Sequence, residues 1–157
     1  MNMLVDGEWH TGAYESTNEE GEFDRQEASF RNWLDGSVAA AGEAPKQSAF
    51  APESGRYHLY ICRACPWAHR VAMVRQLRGL EDDISISLVQ PERYDEGWEF
   101  SEAHPDPLGD RAYLREAYTD ADPEFTGRVT VPVLWDTQEE TIVNNESKEI
   151  LRMLDTA

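Results

Sequence analysis

The chain of 157 residues contains few of the side chains that usually hold metals or build disulfide frameworks: it has two cysteines and four histidines. Two thiols cannot form the disulfide framework of a small secreted domain. A four-ligand zinc site would need two histidines, and none of the four is spaced as a second ligand pair beside Cys62 and Cys65. The sequence therefore predicts no metal site and favours redox or nucleophilic thiol chemistry.

Long apolar runs and positive charge are also scarce. No segment approaches the roughly 18 apolar residues that span a bilayer, and residues 1–9 lack the basic and apolar regions of a signal peptide. The formal net charge is -17, and a surface this acidic repels a polyanion and has few cations to displace its counterions. We therefore expect a cytoplasmic protein that binds neither nucleic acid nor membranes.

The kind of charge is unusual as well as its amount. Lys46 and Lys148 are the only lysines, and every other cationic side chain except histidine is arginine. High ionic strength screens the self-repulsion that such a surface imposes on a compact fold. We interpret the composition as halophilic, with an ordinary acidic protein of dilute cytosol as the alternative.

The first 55 residues differ in character from the remainder. Residues 1–55 are polar, and their aromatic side chains are scattered rather than periodic. This predicts an extended arm that lies over the domain and is anchored by its aromatics, with a linker at Ala39–Pro52. A disordered tail is the alternative interpretation.

Residues 56–157 alternate between strand and helix patterns, which predicts an α/β domain. Residues 56–62 read as a strand and 84–89 as a second one, with a helix between them that begins at Pro66 and ends at Gly79. A polar insertion, 90–127, contains one short helix at 111–118. Strands at 129–135 and 141–143 and a last helix that opens at 145–147 complete the order βαβ, insertion, ββα, which is the thioredoxin fold. The helix after Pro66 should pack through Trp67, Val71, Val74 and Leu77, and the strand 84–89 should separate Ile84, Ile86 and Leu88 from Ser85 and Ser87.

Cys65 occupies the more reactive of the two cysteine positions. It lies where the first strand meets the following helix, and the helix dipole with its free N–H groups stabilises a thiolate there. A buried structural cysteine is the alternative. Cys62 closes the strand without a helix start beside it, and it is either a resolving thiol or a small residue at a strand end. Ala68 stands where a thioredoxin-like pair has its second cysteine, so a monothiol route is favoured.

Two further sites follow from position in this fold. The Val131-Pro132 bond is expected to be cis and to face Cys65, leaving the Val131 backbone to pair with a thiol peptide as an added strand does. The alternative is a plain proline before a strand. Glu146 and Ser147 open the last helix, where N–H groups and a hydroxyl suit a carboxylate and an acid suits an amine. The alternative there is a simple helix cap.

These motifs together resemble the xi class of glutathione transferases, the glutathionyl-hydroquinone reductases. The resemblance covers nearly the whole chain from residue 21, and the Cys-Pro-Trp-Ala block is its most specific part. The residues that carry it are GEFDRQ at 21–26, SFRNW at 29–33, YHLY at 57–60, ACPWAHR at 64–70, GW at 97–98, GRVTVPVLWD at 127–136 and IVNNES at 142–147.

The resemblance implies a reaction and a set of roles. The Cys65 thiolate would attack the sulfur of a glutathionyl-hydroquinone, release the hydroquinone and form a mixed disulfide that a second thiol resolves. Glutathione or a related γ-glutamyl thiol would be the co-substrate. Trp98 and Arg128 would contact the thiol peptide, and Arg128 is expected to be the only cation beside the Val131-Pro132 loop. Val131 would pair with the peptide backbone, and Glu146 with Ser147 would hold the γ-glutamyl end.

The sequence departs from the family in two ways. The family places serine or a similar residue at the position of Cys62, so no role is inherited there. The family also has a helical C-terminal domain that supplies the hydroquinone pocket and the dimer contacts, and the sequence stops before it. We therefore expect an enzyme or enzyme half that transfers thiols through Cys65, which a separate helical partner or a second copy would complete. The alternative is a non-catalytic module that binds a thiol peptide or docks on such a partner. A redox-sensing disulfide between Cys62 and Cys65 is a third interpretation.

Overall fold

The computed structural model of the chain describes residues 1–13, 17–22, 26–36 and 50–156. Most of the predicted linker Ala39–Pro52 lies outside the described residues, as do the arm aromatics Tyr14 and Phe23.

A four-stranded sheet forms the centre of the fold. Its strands are β3 (Tyr57–Ile61), β4 (Ile84–Leu88), β5 (Val133–Asp136) and β6 (Thr141–Asn144), in the order β4-β3-β5-β6. Strand β3 runs parallel to β4 and antiparallel to β5, and β5 runs antiparallel to β6. Every residue of β3 is buried, as its unbroken run of aromatic and branched side chains requires of a central strand.

Three helices complete the predicted order and confirm the α/β, thioredoxin-like fold. Helix α1 (Pro66–Leu77) follows β3, α2 (Leu114–Ala121) lies in the insertion, and α3 (Ser147–Thr156) follows β6. Helices α1 and α3 pack against each other, while α2 packs against β6. None of the helices in the described residues has the length and apolar character that crossing a membrane needs.

Helix α2 begins later than the sequence pattern predicts. The expected span was 111–118, but the helix starts at Leu114 because Tyr113 is its N-cap. The Glu116 carboxylate accepts a hydrogen bond of 2.8 Å from the Tyr113 N–H, which satisfies the N-cap donor.

The buried face of α1 differs from the expected stripe. Ala68 and Val71 are fully buried, whereas Trp67 is 50% and Leu77 78% exposed. At about 100° per residue, the direction in which Ala68 and Val71 face the sheet leaves Leu77 on the opposite side of the helix. The apolar spacing therefore predicts the helix and the packing of Val71 and Val74 correctly, and it is wrong for Trp67 and Leu77.

The serines of β4 do not form a uniformly exposed face either. Ser87 is buried and Ser85 exposed, and their hydroxyl oxygens lie 2.9 and 2.6 Å from the two ring nitrogens of His58. Burial lowers the pKa of His58 to about 4, so the ring is neutral at pH 7 and bridges the two hydroxyls. The alternation of β4 was read correctly, but it does not separate core from solvent.

The arm begins with a hairpin that the sequence reading missed. Strands β1 (Met3–Val5) and β2 (Glu8–His10) pair antiparallel around Asp6 and Gly7, both of which have positive φ. A side chain at Gly7 would collide with the Pro123 carbonyl oxygen, 2.0 Å from the position of a Cβ. The hairpin is joined to the domain by reciprocal backbone hydrogen bonds of 2.9 Å between Leu4 and Gly127.

The later part of the arm is also packed on the domain. The Phe30 ring stacks on Phe125, with 5.4 Å between ring centres, and Trp33 and Leu34 are buried. The Asn32 N–H donates to the carbonyl of Val143 at 3.0 Å. In the described residues, these aromatic and apolar side chains pack the arm against the domain.

Candidate functional site

Cys65 is the N-cap residue of α1. Its backbone is extended, with φ -91° and ψ 114°, and Pro66 occupies the first turn of the helix. The Cys65 N–H donates to the Cys62 carbonyl at 3.1 Å, which closes the turn between β3 and α1. The thiol is half-buried and its Sγ lies 3.9 Å from the carbonyl oxygen of Val131. A thiol at the start of a twelve-residue helix is in the setting that favours a nucleophile.

The loop opposite Cys65 contains a cis peptide bond between Val131 and Pro132, the isomer predicted for this position. Both residues are buried. The hydroxyl of Tyr118 donates to the Thr130 carbonyl at 2.8 Å and accepts from the Thr130 N–H at 3.2 Å, which fixes the loop from behind.

A cavity of about 440 Å³ opens beside Cys65, within the size range of small-molecule sites. It brings together four of the predicted site residues: Cys65, Trp98, Arg128 and Val131. The rest of its lining consists of Gln26, Glu27, Ala28, Ser29, Ala64, Trp67, Pro91, Arg93, Thr130 and Asn145.

Trp98 presents an unsatisfied donor at this cavity. The side chain is 9% exposed, and its indole Nε1 is buried without a hydrogen-bond partner among the described residues. A buried N–H without an acceptor is uncommon in folded proteins.

Arg93 is a site residue that the sequence reading missed. Its guanidinium lies 4.7 Å from the centre of the Trp98 ring, and it lines the cavity together with Arg128. The expectation that Arg128 is the only cation there is therefore wrong. The two residues are 35 positions apart, and only the fold of the insertion brings them to one cavity. The only feature of the sequence that could have indicated this role is the positive charge of Arg93 within an acidic insertion.

The arm supplies a second unforeseen wall of the cavity. Residues 26–29 line it, and the Gln26 side-chain oxygen accepts a hydrogen bond of 3.2 Å from the backbone N–H of Arg128. The sequence predicts only packing anchors in the arm, because the polar residues there have no periodic pattern that would indicate a site.

The start of α3 adjoins the cavity but is only partly open to it. Asn145 lines the cavity, yet its Oδ1 accepts from the Phe30 N–H at 3.2 Å and its Nδ2 donates to the Tyr118 hydroxyl at 3.1 Å. Glu146 is half-buried, and Ser147 is 3% exposed and accepts a hydrogen bond of 2.5 Å from Arg70. Glu146 and Ser147, the predicted clamp, are thus next to the cavity lining without belonging to it.

Cys62 lies in the core, and both cysteines are free thiols. The Cys62 side chain is fully buried, with its Sγ 3.8 Å from the carbonyl oxygen of Gln90. Within the described residues, no group of three or more His, Cys, Asp or Glu side chains is arranged to hold a metal ion.

Residues 64–157 match the family model described as the glutathione S-transferase N-terminal domain. The chain belongs to this family. The match begins one residue before Cys65 and includes β4, the insertion, the loop at Val131 and all three helices.

Individual relatives indicate which class of glutathione transferases the chain is most similar to among those compared. It is 47% identical over 163 residues to the glutathionyl-hydroquinone reductase YqjG of Escherichia coli, covering 100% of this chain and 48% of YqjG. A xi-class glutathione transferase from Natrialba magadii is 52% identical, with a TM-score of 0.81 over 99% of this chain and 45% of that one. The glutathione-bound structure of YqjG gives a TM-score of 0.79 at 43% identity, over 99% of this chain and 45% of that one.

These similarities confirm the predicted resemblance to the xi class. The chain spans about half the length of the curated relatives it matches.

Proposed function

We propose that this chain is the thiol-binding half of a glutathione-dependent enzyme of the glutathionyl-hydroquinone reductase type, with Cys65 as its nucleophile. The observation that carries the proposal is the position of the Cys65 thiol. It stands at the start of α1, 3.9 Å from the Val131 carbonyl, on a cavity also lined by two arginines and by Trp98, whose buried indole N–H has no partner among the described residues. The names of the relatives support the same class of reaction.

The proposed reaction balances with a second thiol as reductant. The Cys65 thiolate attacks the sulfur of a glutathionyl-hydroquinone, and the bond between that sulfur and the aromatic carbon breaks. The carbon keeps the electron pair and takes a proton to give the hydroquinone, while Cys65 forms a mixed disulfide with glutathione. A second glutathione then attacks this disulfide, releasing glutathione disulfide and the Cys65 thiol.

The cavity residues and the adjoining start of α3 hold different parts of the thiol peptide. The Val131 backbone pairs with the cysteinyl part of the peptide, and the Trp98 indole donates to one of its oxygens. Arg128 supplies positive charge for a carboxylate, and Arg93 adds a second charge beside it. Glu146 and Ser147 hold the γ-glutamyl end at the start of α3. The ligand is glutathione or a related γ-glutamyl thiol.

A second function, thiol binding without turnover, is favoured by one observation. Helix α1 exposes three large apolar side chains: Trp67, Met73 and Leu77 are 50%, 48% and 78% exposed. Met73 and Leu77 are four positions apart and share one helix face. We propose that a helical partner or a second copy covers this face, and that the isolated chain binds a thiol more readily than it completes the reaction.

The experiment that tests the function traps the intermediate. The chain is mixed with a glutathionyl-hydroquinone, and mass spectrometry looks for a glutathione adduct on Cys65 while chromatography follows the hydroquinone. Adduct and hydroquinone in equal amounts support the mechanism. A chain whose Cys65 is blocked cannot form the adduct, and release of hydroquinone by that chain would contradict the mechanism. Binding of glutathione without either product would favour the binding module.

A further inference from the structure

One cation that reaches the start of α3 has no part in the function proposed above. Arg70 lies on α1, and its Nη2 donates a hydrogen bond of 2.5 Å to the hydroxyl oxygen of Ser147. Its guanidinium carbon lies 5.0 Å from the centre of the Trp67 ring, which lines the cavity. Arg70 therefore connects one wall of the cavity to the first residue of α3.

This hydrogen bond decides what the Ser147 hydroxyl can do. A guanidinium has only donors, so the Ser147 oxygen must be the acceptor. The hydroxyl hydrogen is then left for a different acceptor, and the buried position of Ser147 restricts its rotation. The contact fills one acceptor position of the Ser147 oxygen and orients its hydrogen away from Arg70, so that it can donate to a carboxylate at the start of α3.

Arg70 also has an unsatisfied donor of its own. Its Nε is buried and has no hydrogen-bond partner among the described residues. Leaving a buried donor unpaired is costly, more so when the group is charged. In a chain with a net charge of -17, an anionic ligand is the partner that this positive charge attracts.

We propose that Arg70 is a positioning residue for the thiol substrate, which fixes the Ser147 hydroxyl as a donor to the α-carboxylate of a γ-glutamyl group. The proposal rests on the function proposed above, because it needs that group at the start of α3. It gives Arg70 no contact with the reacting sulfur atoms. We therefore expect Arg70 to govern thiol affinity, and the rate at saturating thiol to change little.

The test compares two thiols that differ in a single carboxylate. One is glutathione, and the other is the same tripeptide with γ-aminobutyrate in place of its γ-glutamyl residue. Calorimetry measures both affinities for the full chain and for Arg70→Met. We expect Arg70→Met to weaken glutathione binding about tenfold, the cost of losing one charge-assisted hydrogen bond. Binding of the carboxylate-free thiol should stay within about twofold, because the lost interaction has no counterpart there.

Two further variants distinguish a positioning role of Arg70 from a merely structural one. Arg70→Lys keeps the charge and should restore part of the preference for glutathione. Ser147→Ala should weaken glutathione binding in the unaltered chain and add little to Arg70→Met, because the two residues act as one unit. Arg78→Met is the matched control. Arg78 at the end of α1 also reaches α3, through Asp155 at 2.6 Å, and it does not line the cavity.

The outcomes distinguish this proposal from the proposed function. Equal weakening of both thiols by Arg70→Met would mark a merely structural role and overturn the inference, as would unchanged glutathione binding. If the unaltered chain bound neither thiol, the proposed function would fail and the inference with it. If Arg70→Met does not fold, Arg70→Lys and Ser147→Ala decide: a loss confined to glutathione supports the inference, and an equal loss for both thiols overturns it.

Discussion

Cys62 and Cys65 are three positions apart and have different surroundings. Cys65 caps a helix, borders a cavity and faces a backbone carbonyl, whereas Cys62 is fully buried against the Gln90 carbonyl. A thiol that must attack a substrate sulfur needs access and stabilisation of its thiolate. Of the two cysteines, Cys65 alone lines the cavity and stands at a helix start.

The first prediction follows from this contrast. Cys65→Ser should abolish thiol transfer, and Cys62→Ser should keep at least a substantial part of it. The difference arises because Cys65 alone has the helix start beneath it and the cavity beside it. Release of hydroquinone from a glutathionyl-hydroquinone measures both variants. Equal inactivity of Cys62→Ser, with an unchanged melting temperature, would show that the monothiol assignment is wrong.

At the scale of elements, the sequence predicted local structure better than it predicted assembly. The strand and helix order of residues 56–157 could be found because turn residues and apolar spacing are local signals. The hairpin around Asp6 and Gly7 was missed although this dipeptide is a strong turn signal between short strands. The polar composition of residues 1–55 as a whole favours an extended arm, and it outweighed this local turn signal.

Part of the candidate site could be predicted from the sequence and part of it could not. The position of Cys65 at a helix start and the cis bond between Val131 and Pro132 could be predicted because both follow from the order of elements in a recognised fold. The arm wall at 26–29 and Arg93 reach the cavity through contacts between segments far apart in the chain. No spacing rule relates such segments, so the sequence alone gave no reason to place them together.

The contact between the arm and α3 gives the second prediction. The Arg31 guanidinium makes two hydrogen bonds to the buried Glu149 carboxylate, one of them 2.7 Å long, and Asn144 donates a third at 2.8 Å. Burial opposes ionisation of Glu149, but the hydrogen bonds from Arg31 and Asn144 outweigh it, and the pKa of Glu149 is lowered. We expect Arg31→Met to reduce the free energy of unfolding at pH 7 by about 2 kcal/mol.

The pH dependence of this loss has a defined sign. A lowered carboxyl pKa gives stability that is present above the unfolded value of about 4.3 and is lost as the pH falls through the folded pKa. The difference between Arg31→Met and the unaltered chain should therefore shrink below about pH 4. Urea unfolding between pH 3 and 7 measures it, with the exposed Arg78–Asp155 pair as the comparison. Loss of that pair should cost at most about 1 kcal/mol, and a larger effect from Arg78→Met than from Arg31→Met would contradict the prediction.

At the scale of the whole molecule, net charge sets the expected response to salt. With a charge of -17 the folded chain repels itself, and molar salt screens this repulsion. The melting temperature should therefore rise from low ionic strength to molar potassium chloride. For a chain of this size, each kcal/mol of relief raises the midpoint by about 2–4 °C. A midpoint that stays constant or falls across the salt series would remove the halophilic interpretation.

The exposed face of α1 gives a prediction about assembly. Met73 and Leu77 lie on one side of the helix, Trp67 lies at the edge of this face, and all three are about half exposed or more. Apolar side chains gathered on one face favour association, since covering them removes apolar surface from water. We expect the isolated chain to associate, and Leu77→Glu to shift it towards the monomer. Sedimentation at several concentrations measures this.

Leu108→Glu is the matched control for this prediction, because Leu108 is 38% exposed but lies in the insertion rather than on α1. It should leave the sedimentation behaviour unchanged.

The proposed function as a thiol-binding half gives a last prediction, about turnover. A chain that aligns the thiol without its second reactant forgoes much of the advantage of holding both, worth up to about 7–11 kcal/mol in well-oriented systems. Turnover by the isolated chain should accordingly be far below the roughly 10 per second of ordinary enzymes. A strictly monomeric chain that reached such rates would show that the α1 face needs no partner.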